Sequence, residues 1–545
     1  MRALLQAVGA LIAFLTMGTA AYAADDVSAK DAVRGWVLAH QAPIYQELDA
    51  FLRLPNDAAD EAAILANARA LKQMMETRGI LSTILTAKGA RPAVFGVLPA
   101  DGPDADERPT IMFYAHYDGQ PVDPTRWATP PYEPVLRTGT LEENAAILDA
   151  SAIARFDDDW RVYARASSDD KSPIVAILAA VDALADLGIT RKVNLKFFFE
   201  GEEEIGSPAL ATMLSVHKKK LDADLWLFGD GPIDPTGEFR LIYGVRGVTS
   251  VDVVVHGPSR PLHSGHFGNV APNPGARLAH LITTMRDETG QILIDGVTKM
   301  AKPPIPEALK IVRARANEDK AIQKSIGIAA PEMPNKVYGE AILYPSLNVL
   351  GLDMGEVGDK AKNAIQAEAR ATLGFRMVPD QTLPELRRAF NAHVAAQGYH
   401  VLSAPPTAED RAKYEKLIEI KWSEAGYSAA ATPLNDPWAT RLRTITERFA
   451  PGRVRIFPLL GGSLPLAHIR DTLGAPLIIL PIVNPDNNQH APNENLRLGQ
   501  LWDGIALYAS VIASSWEGVG EPSPVKKAEA TGAPTGANSK VAQDD

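Results

Sequence analysis

The chain contains no cysteine. Disulfides, thiolate metal sites and cysteine nucleophiles are thereby excluded, and any metal must be held by His, Asp and Glu. A basic stripe is also missing: 55 Lys and Arg stand against 66 Asp and Glu, the net charge is -11, and both signs are mixed along the chain. Such a surface does not track a phosphate backbone, so nucleic acid is not an expected partner. Beyond Ala23 no run is apolar enough to cross a bilayer,. The first 23 residues, "MRALLQAVGALIAFLTMGTAAYA", combine Arg2, a short apolar run and the small-residue sequence Ala21-Tyr22-Ala23. That pattern predicts an export signal cleaved after Ala23, hence a periplasmic or secreted protein with no membrane span after cleavage.

What remains is ample for folding. With 545 residues and 46% apolar composition the chain can bury a sizeable core in two or more domains,. From residue 24 to about 246, helical patterns alternate with the apolar runs "TIMFYAH", "KVNLKFFFEG" and "ADLWLFGD", predicting an α/β domain with a buried sheet,. From 247 to 405 the pattern changes to two strand-helix pairs, "VTSVDVVVHG" with "PGARLAHLITTMRD" and "ARATLGFRMVPD" with "TLPELRRAFNAHVAAQG", which predicts a small α+β insert,. Over 406 to 516, helical segments lead to "RVRIFPLLGGS" and "APLIILPIV", two buried-strand candidates that would complete the first sheet,. The Ala, Pro, Gly and Lys-rich tail, 517 to 545, reads as disordered,.

Polar clusters follow several of these runs, and strand ends are where ligands gather in open α/β sheets. His116 and Asp118 lie two apart after "TIMFYAH", on one face of an extended backbone,. Asp169 and Asp170 precede an apolar helix pattern through Ile174, Ile177, Val181 and Leu184. Glu200, Glu202, Glu203 and Glu204 crowd the end of the "KFFFEGEEEIGSP" run, and packed like charges need a counter-ion or raised pKa values,. Asp230 ends "DLWLFGD", and His490 lies in the loop "NPDNNQHAPNENL". Singly, each has a plain structural reading: a turn pair, an acidic helix start, a solvated acidic turn, a loop histidine.

Read in order, Tyr114 to Asp118, Asp169 to Lys171, Glu200 to Ser207, Asp230 and His490 to Glu494 resemble the co-catalytic di-zinc peptidases that include carnosinase-type dipeptidases, carboxypeptidase G, aminoacylase and acetylornithine deacetylase. "EGEEEIGS", "SDDK" and "PLHSG" are most similar to the carnosinase-like branch. The resemblance implies an α/β catalytic domain with a central, mostly parallel sheet flanked by helices, and an inserted α+β lid or dimerisation domain. It implies a pair of zinc ions per subunit: His116 and Asp230 on one, Glu204 and His490 on the other, with Asp169 bridging. Manganese or cobalt would suit the same donors. Glu203 is then the base that activates a water held between the metals, and Asp118 orients His116,.

The same resemblance gives His263, in "GPSRPLHSGHFG", the task of polarising the scissile carbonyl in the site of a neighbouring subunit, so a homodimer is expected,. Arg376 in "LGFRMVPD" would pair with the substrate carboxylate, with Asn363, Gly462 and Ser463 also at the substrate,. The family's "GRGASDDKG" pattern is "ARASSDDKS" here, so that Ala164, Ala166 and Ser172 replace glycines, and where those glycines have positive φ this loop is expected to take another path,. Leu460 stands where a charged residue often precedes the "GGS" turn. The expected function is an exported metallo-exopeptidase acting on dipeptides or short peptides with a free C-terminal carboxylate. N-acyl amino acid deacylation is the nearest alternative, and a non-catalytic metal-binding protein a more distant one.

Overall fold

The computed structural model describes residues 29–520. The expected signal peptide, 1–23, and the chain after Gly520, with nearly all of the expected 517–545 tail, lie outside the described residues.

Thr110–His116 is buried at every position, as a strand covered on both faces must be,. Asn194–Glu200 and Leu225–Phe228 flank it in parallel, and Leu477–Ile479 runs parallel to the latter. These four strands are the centre of an eight-stranded sheet in the order Leu81–Leu85, Ala93–Leu98, Asn194–Glu200, Thr110–His116, Leu225–Phe228, Leu477–Ile479, Phe239–Ile242, Val454–Phe457. Antiparallel pairings lie outside this parallel centre. Helices Lys171–Asp186 and Leu498–Ala513 are apolar nearly all round and pack into the same core as the strands,. The expected α/β class with a mostly parallel central sheet is the observed one.

A second sheet of five strands runs Ser346–Asp353, Glu368–Met377, Gly247–His256, Leu417–Trp422, His400–Leu402. Val251, Val253 and Val255 alternate onto one face and pack against Leu278, Leu281 and Met285 of helix Pro274–Met285 and Leu386 and Phe390 of helix Leu383–Ala396,. Two features differ from expectation. The boundary at 405 falls short, because Leu417–Trp422 pairs antiparallel with Gly247–His256 and keeps the polypeptide in the small sheet to Trp422. The expected strand-helix pairs also leave out four short helices, Asp295–Met300, Pro306–Arg313, Asp319–Ile326 and Tyr338–Ile342. Arg315 of this excursion reaches Asp234 at 3.1 Å, which ties it to the edge of the large sheet.

The two sheets join where Gly244–Val245 pairs with Ala430–Ala431. Gly247 is needed at this crossing, since a Cβ there would stand 2.5 Å from the Ala429 backbone nitrogen. Among the described residues no helix is long and apolar enough to cross a membrane.

Candidate metal centre

Parallel strands deliver their C-terminal ends to one side of a sheet. His116 and Glu200 are the last residues of their strands, Asp230 follows Phe228 by two, and Leu477–Ile479 leads into the loop that carries His490. Asp169 arrives from the segment just ahead of helix Lys171–Asp186. Ligand atoms of His116, Asp169 and Asp230 lie within 4.8 Å of one another, and those of Asp169, Glu204 and His490 do the same. Asp169 is shared: its Oδ1 is 2.9 Å from His116 Nε2 and its Oδ2 is 3.1 Å from His490 Nε2. His490 Nε2 also stands 3.2 Å from Glu204 Oε2. All five residues expected as ligands are thus brought together.

Their supports are equally local. Asp118, fully buried, lies 3.4 Å from His116 Nδ1, the nitrogen that faces away from Asp169, and fixes the ring,. The same carboxylate accepts the backbone N–H groups of Glu203 at 3.2 Å and Glu204 at 3.0 Å. One buried acid therefore sets both the histidine and the turn Glu203–Ile205. Glu203 Oε2 is 4.0 Å from His116 Nε2, placing the expected base at the edge of the cluster.

Glu494, fully buried, holds the other side. It accepts the backbone N–H of Ala166, Ser168 and Asp169, each at 2.9 Å, and pairs with Arg165 at 2.8 Å. Ala166 adopts φ 63° despite its Cβ, a conformation glycine would enter without strain,. The bond to Glu494 is what holds it there. Gln120, donating to Glu204 Oε2 at 2.8 Å, and Gln489, donating to Asp169 Oδ2 at 3.3 Å, complete the ring of contacts. Glu494, Gln120 and Gln489 were not among the expected site residues; only Glu494, inside the recognised His490 to Glu494 segment, left a signal.

Electrostatics show what the cluster needs. Burial, opposed by His116 and reinforced by Asp230 and Glu204, pushes Glu203 well above the usual carboxylate range. Burial and then the charge of Asp169 raise Glu204 to about 7 and Asp230 to about 6. Burial would raise Asp169 too, but hydrogen bonds from His116 and His490 hold it below the ordinary value. The bond to Asp169 lifts His490 to about 9. Asp169, Glu203, Glu204 and Asp230 crowd two imidazoles, and the raised carboxylates among them mark a cluster that a cation would neutralise,. Imidazole and carboxylate donors, three to each overlapping set with Asp169 common, fit divalent metal ions such as zinc,.

At the far end of the cleft, Arg376 Nη1 donates to Ser463 Oγ at 2.5 Å. Gly462, in the same turn, accepts the backbone N–H of Arg246 at 3.2 Å. Tyr427 is half-buried. Burial raises its pKa, the charge of Glu203 pushes it the same way and that of Arg376 opposes. His263 and Asn363 are placed elsewhere: they sit together on an exposed arm, where Ser264 N donates to Asn363 O at 3.0 Å. His263 Nδ1 accepts from Gly265 N, and its ring lies against His266 at 4.6 Å rather than on the metal cluster.

The chain is similar to the Cys-Gly metallodipeptidase dug1 of Schizosaccharomyces pombe, 27% identical over 76% of this chain and 82% of that protein. It is similar also to the Beta-Ala-His dipeptidase of Homo sapiens, 23% identical over 86% of this chain and 90% of that protein. Among solved structures, the M20 family metallo-carboxypeptidase Sso-CP2 of Sulfolobus solfataricus superposes with a TM-score of 0.67 at 25% identity, covering 86% of this chain and 98% of that one. Human carnosine dipeptidase 1 shares the fold, with a TM-score of 0.63 at 20% identity over 89% of this chain and 98% of that one. The sequence pattern of Peptidase family M20/M25/M40 matches residues 112–514, and the chain belongs to this family of metal-dependent hydrolases.

Proposed function

We propose that this hydrolase is an exported di-zinc exopeptidase that cleaves dipeptides or short peptides with a free C-terminal carboxylate. The observation that carries the reading is Asp169 shared between His116 and His490, with Glu203 4.0 Å from His116. His116 and Asp230 would hold one cation and Glu204 and His490 the other, each with Asp169. When bound, the metals supply Lewis acidity to the scissile carbonyl and to the attacking water. Glu203, at the edge of the cluster, would take a proton from that water and return it to the departing amine nitrogen,. Arg376 and Ser463 hold the substrate carboxylate and set which bond reaches Glu203,.

Export rests on the N-terminal sequence, and a homodimer on two supports. His263 is exposed with its ring against His266, and the edge strand Ser346–Asp353 exposes Val349, Leu350 and Leu352 with no neighbouring strand on that side among the described residues,. The names of the similar proteins, a Cys-Gly and a Beta-Ala-His dipeptidase, support dipeptides as substrates.

The test is mass spectrometry of products after the mature protein meets mixed dipeptides and N-acyl amino acids, with and without chelator. Chelator-sensitive release of free amino acids from dipeptides is expected. Cleavage confined to N-acyl compounds would move the protein to deacylation, and absence of any cleavage with metals bound would refute a catalytic role.

A further inference from the structure

Arg246 stands at the crossing between the two sheets, between Val245 and Gly247. Val248, two residues on, is directly opposite Arg376 in the small sheet. Strand alternation thus makes Arg246 and Arg376 diagonal neighbours on one face, within reach of each other for side chains of this length. Both serve the same turn. Arg246 Nε donates to Gly461 O at 3.1 Å, while Arg376 Nη1 donates to Ser463 Oγ at 2.5 Å.

Among the described residues neither arginine has a carboxylate within ion-pair distance, and the terminal nitrogens of Arg246 make no hydrogen bond. Burial and then the charge of Arg376 hold its pKa below the usual guanidinium range. A half-buried pair of like charges without an acid is unfavourable until an anion arrives.

Arg246 also lines a cavity of about 250 Å³, with Gln323, Met333, Tyr338 and Ser346. Two acids line this cavity, and of them Glu332 has a cationic partner while Asp319 keeps its charge. Asp319 accepts the backbone N–H of Tyr338 at 3.1 Å, and Glu332 pairs with Arg286. Lys336 is likewise taken, by Glu340 at 3.3 Å. Among the described residues at this cavity, Arg246 is the cation without an acidic partner.

We propose that Arg246 and Arg376 form a two-guanidinium subsite for a C-terminal residue with a second carboxylate, aspartate or glutamate, whose side chain enters the cavity on Arg246. One planar carboxylate occupies one guanidinium fork, so the α-carboxylate on Arg376 leaves Arg246 for the side chain. The assignment rests on the reading of Arg376 as the carboxylate-binding residue.

The test compares kcat/KM for Gly-Glu and the isosteric Gly-Gln on the zinc-loaded protein, with calorimetric binding of L-glutamate and L-glutamine beside it. Gly-Glu is expected to be favoured about tenfold or more, as removing one charge-assisted bond implies. Arg246→Gln should bring the ratio close to one, and Arg246→Lys should keep part of it. Equal treatment of Gly-Glu and Gly-Gln by the unaltered protein overturns the proposal, as does a ratio that Arg246→Gln leaves unchanged. If no dipeptide is hydrolysed, the peptidase reading fails on its own; glutamate bound more tightly than glutamine then still supports the subsite, and equal affinity removes it.

Discussion

Glu494 accepts the backbone N–H of Asp169 at 2.9 Å, so a carboxylate that touches no expected metal position fixes the residue common to both ligand sets. Its two oxygens take four donors from Arg165, Ala166, Ser168 and Asp169. Glu494→Gln replaces one of those acceptors with an amide donor. The expected result is a loss of zinc affinity of about 10- to 100-fold, as for other residues that orient ligands. Chelator-competition titration measures it, and an affinity within a factor of about two of the unaltered protein would show that Asp169 is positioned by other means.

Ala166 offers a prediction of opposite sign. At φ 63° it occupies a conformation that costs an L-residue about 1–2 kcal/mol,. Ala166→Gly removes the Cβ conflict but adds unfolded-chain entropy of about 0.4–1 kcal/mol. The net should be a small gain, of order 1 kcal/mol or less, seen as a slightly higher midpoint in denaturant unfolding. A clear loss of stability would mean that packing of the buried methyl outweighs the backbone strain.

The metal-free protein should become less stable as pH rises. Glu204 at about 7 and Asp230 at about 6 lie above ordinary carboxylate values, so the folded state holds extra protons over roughly pH 4 to 7 and loses stability as they leave,. His490, raised to about 9, continues the same trend from about pH 6.5 upward,. Asp169, lowered, has the opposite sign but acts only below about pH 4,. Zinc competes with these protons, so the loaded protein should gain most from metal at high pH. Thermal unfolding with and without chelator between about pH 5 and 9 reads the difference; a gap that narrows as pH rises would contradict the assigned donors.

Much of this centre was legible because its residues follow strands whose runs announce themselves. "TIMFYAH" ends at His116 and "KFFFE" leads to Glu203 and Glu204, and burial on both sheet faces writes such strands as unbroken apolar runs,. Leu417–Trp422 was obscured because its burial falls away along its length, giving a short mixed pattern next to helical segments. Arg246 was silent for a different reason. An arginine at a crossing has no periodicity to betray it, and its meaning comes from Arg376, 130 positions away, and from Gly461, farther still. The helical excursion carries strong apolar spacing in single turns, but its role at the carboxylate end exists only in three dimensions.

His263 allows the subunit question to be decided by activity itself. Glu203→Ala removes the base and should cost about 10²- to 10⁴-fold in kcat with metal still bound. His263→Ala removes an oxyanion donor, for which about 10²- to 10³-fold is expected. If each site takes His263 from the partner subunit, a heterodimer of the two variants regains one complete site, since the His263→Ala chain keeps its Glu203 and the Glu203→Ala chain lends its His263. Free exchange of subunits should then restore about a quarter of the unaltered activity, one site in two within the half of dimers that are mixed. Were His263 to act within its own chain, every site in the mixture would lack one group and mixing would restore nothing. The exposed ring of His263, resting on His266 rather than on the metal cluster, makes the first outcome the expected one.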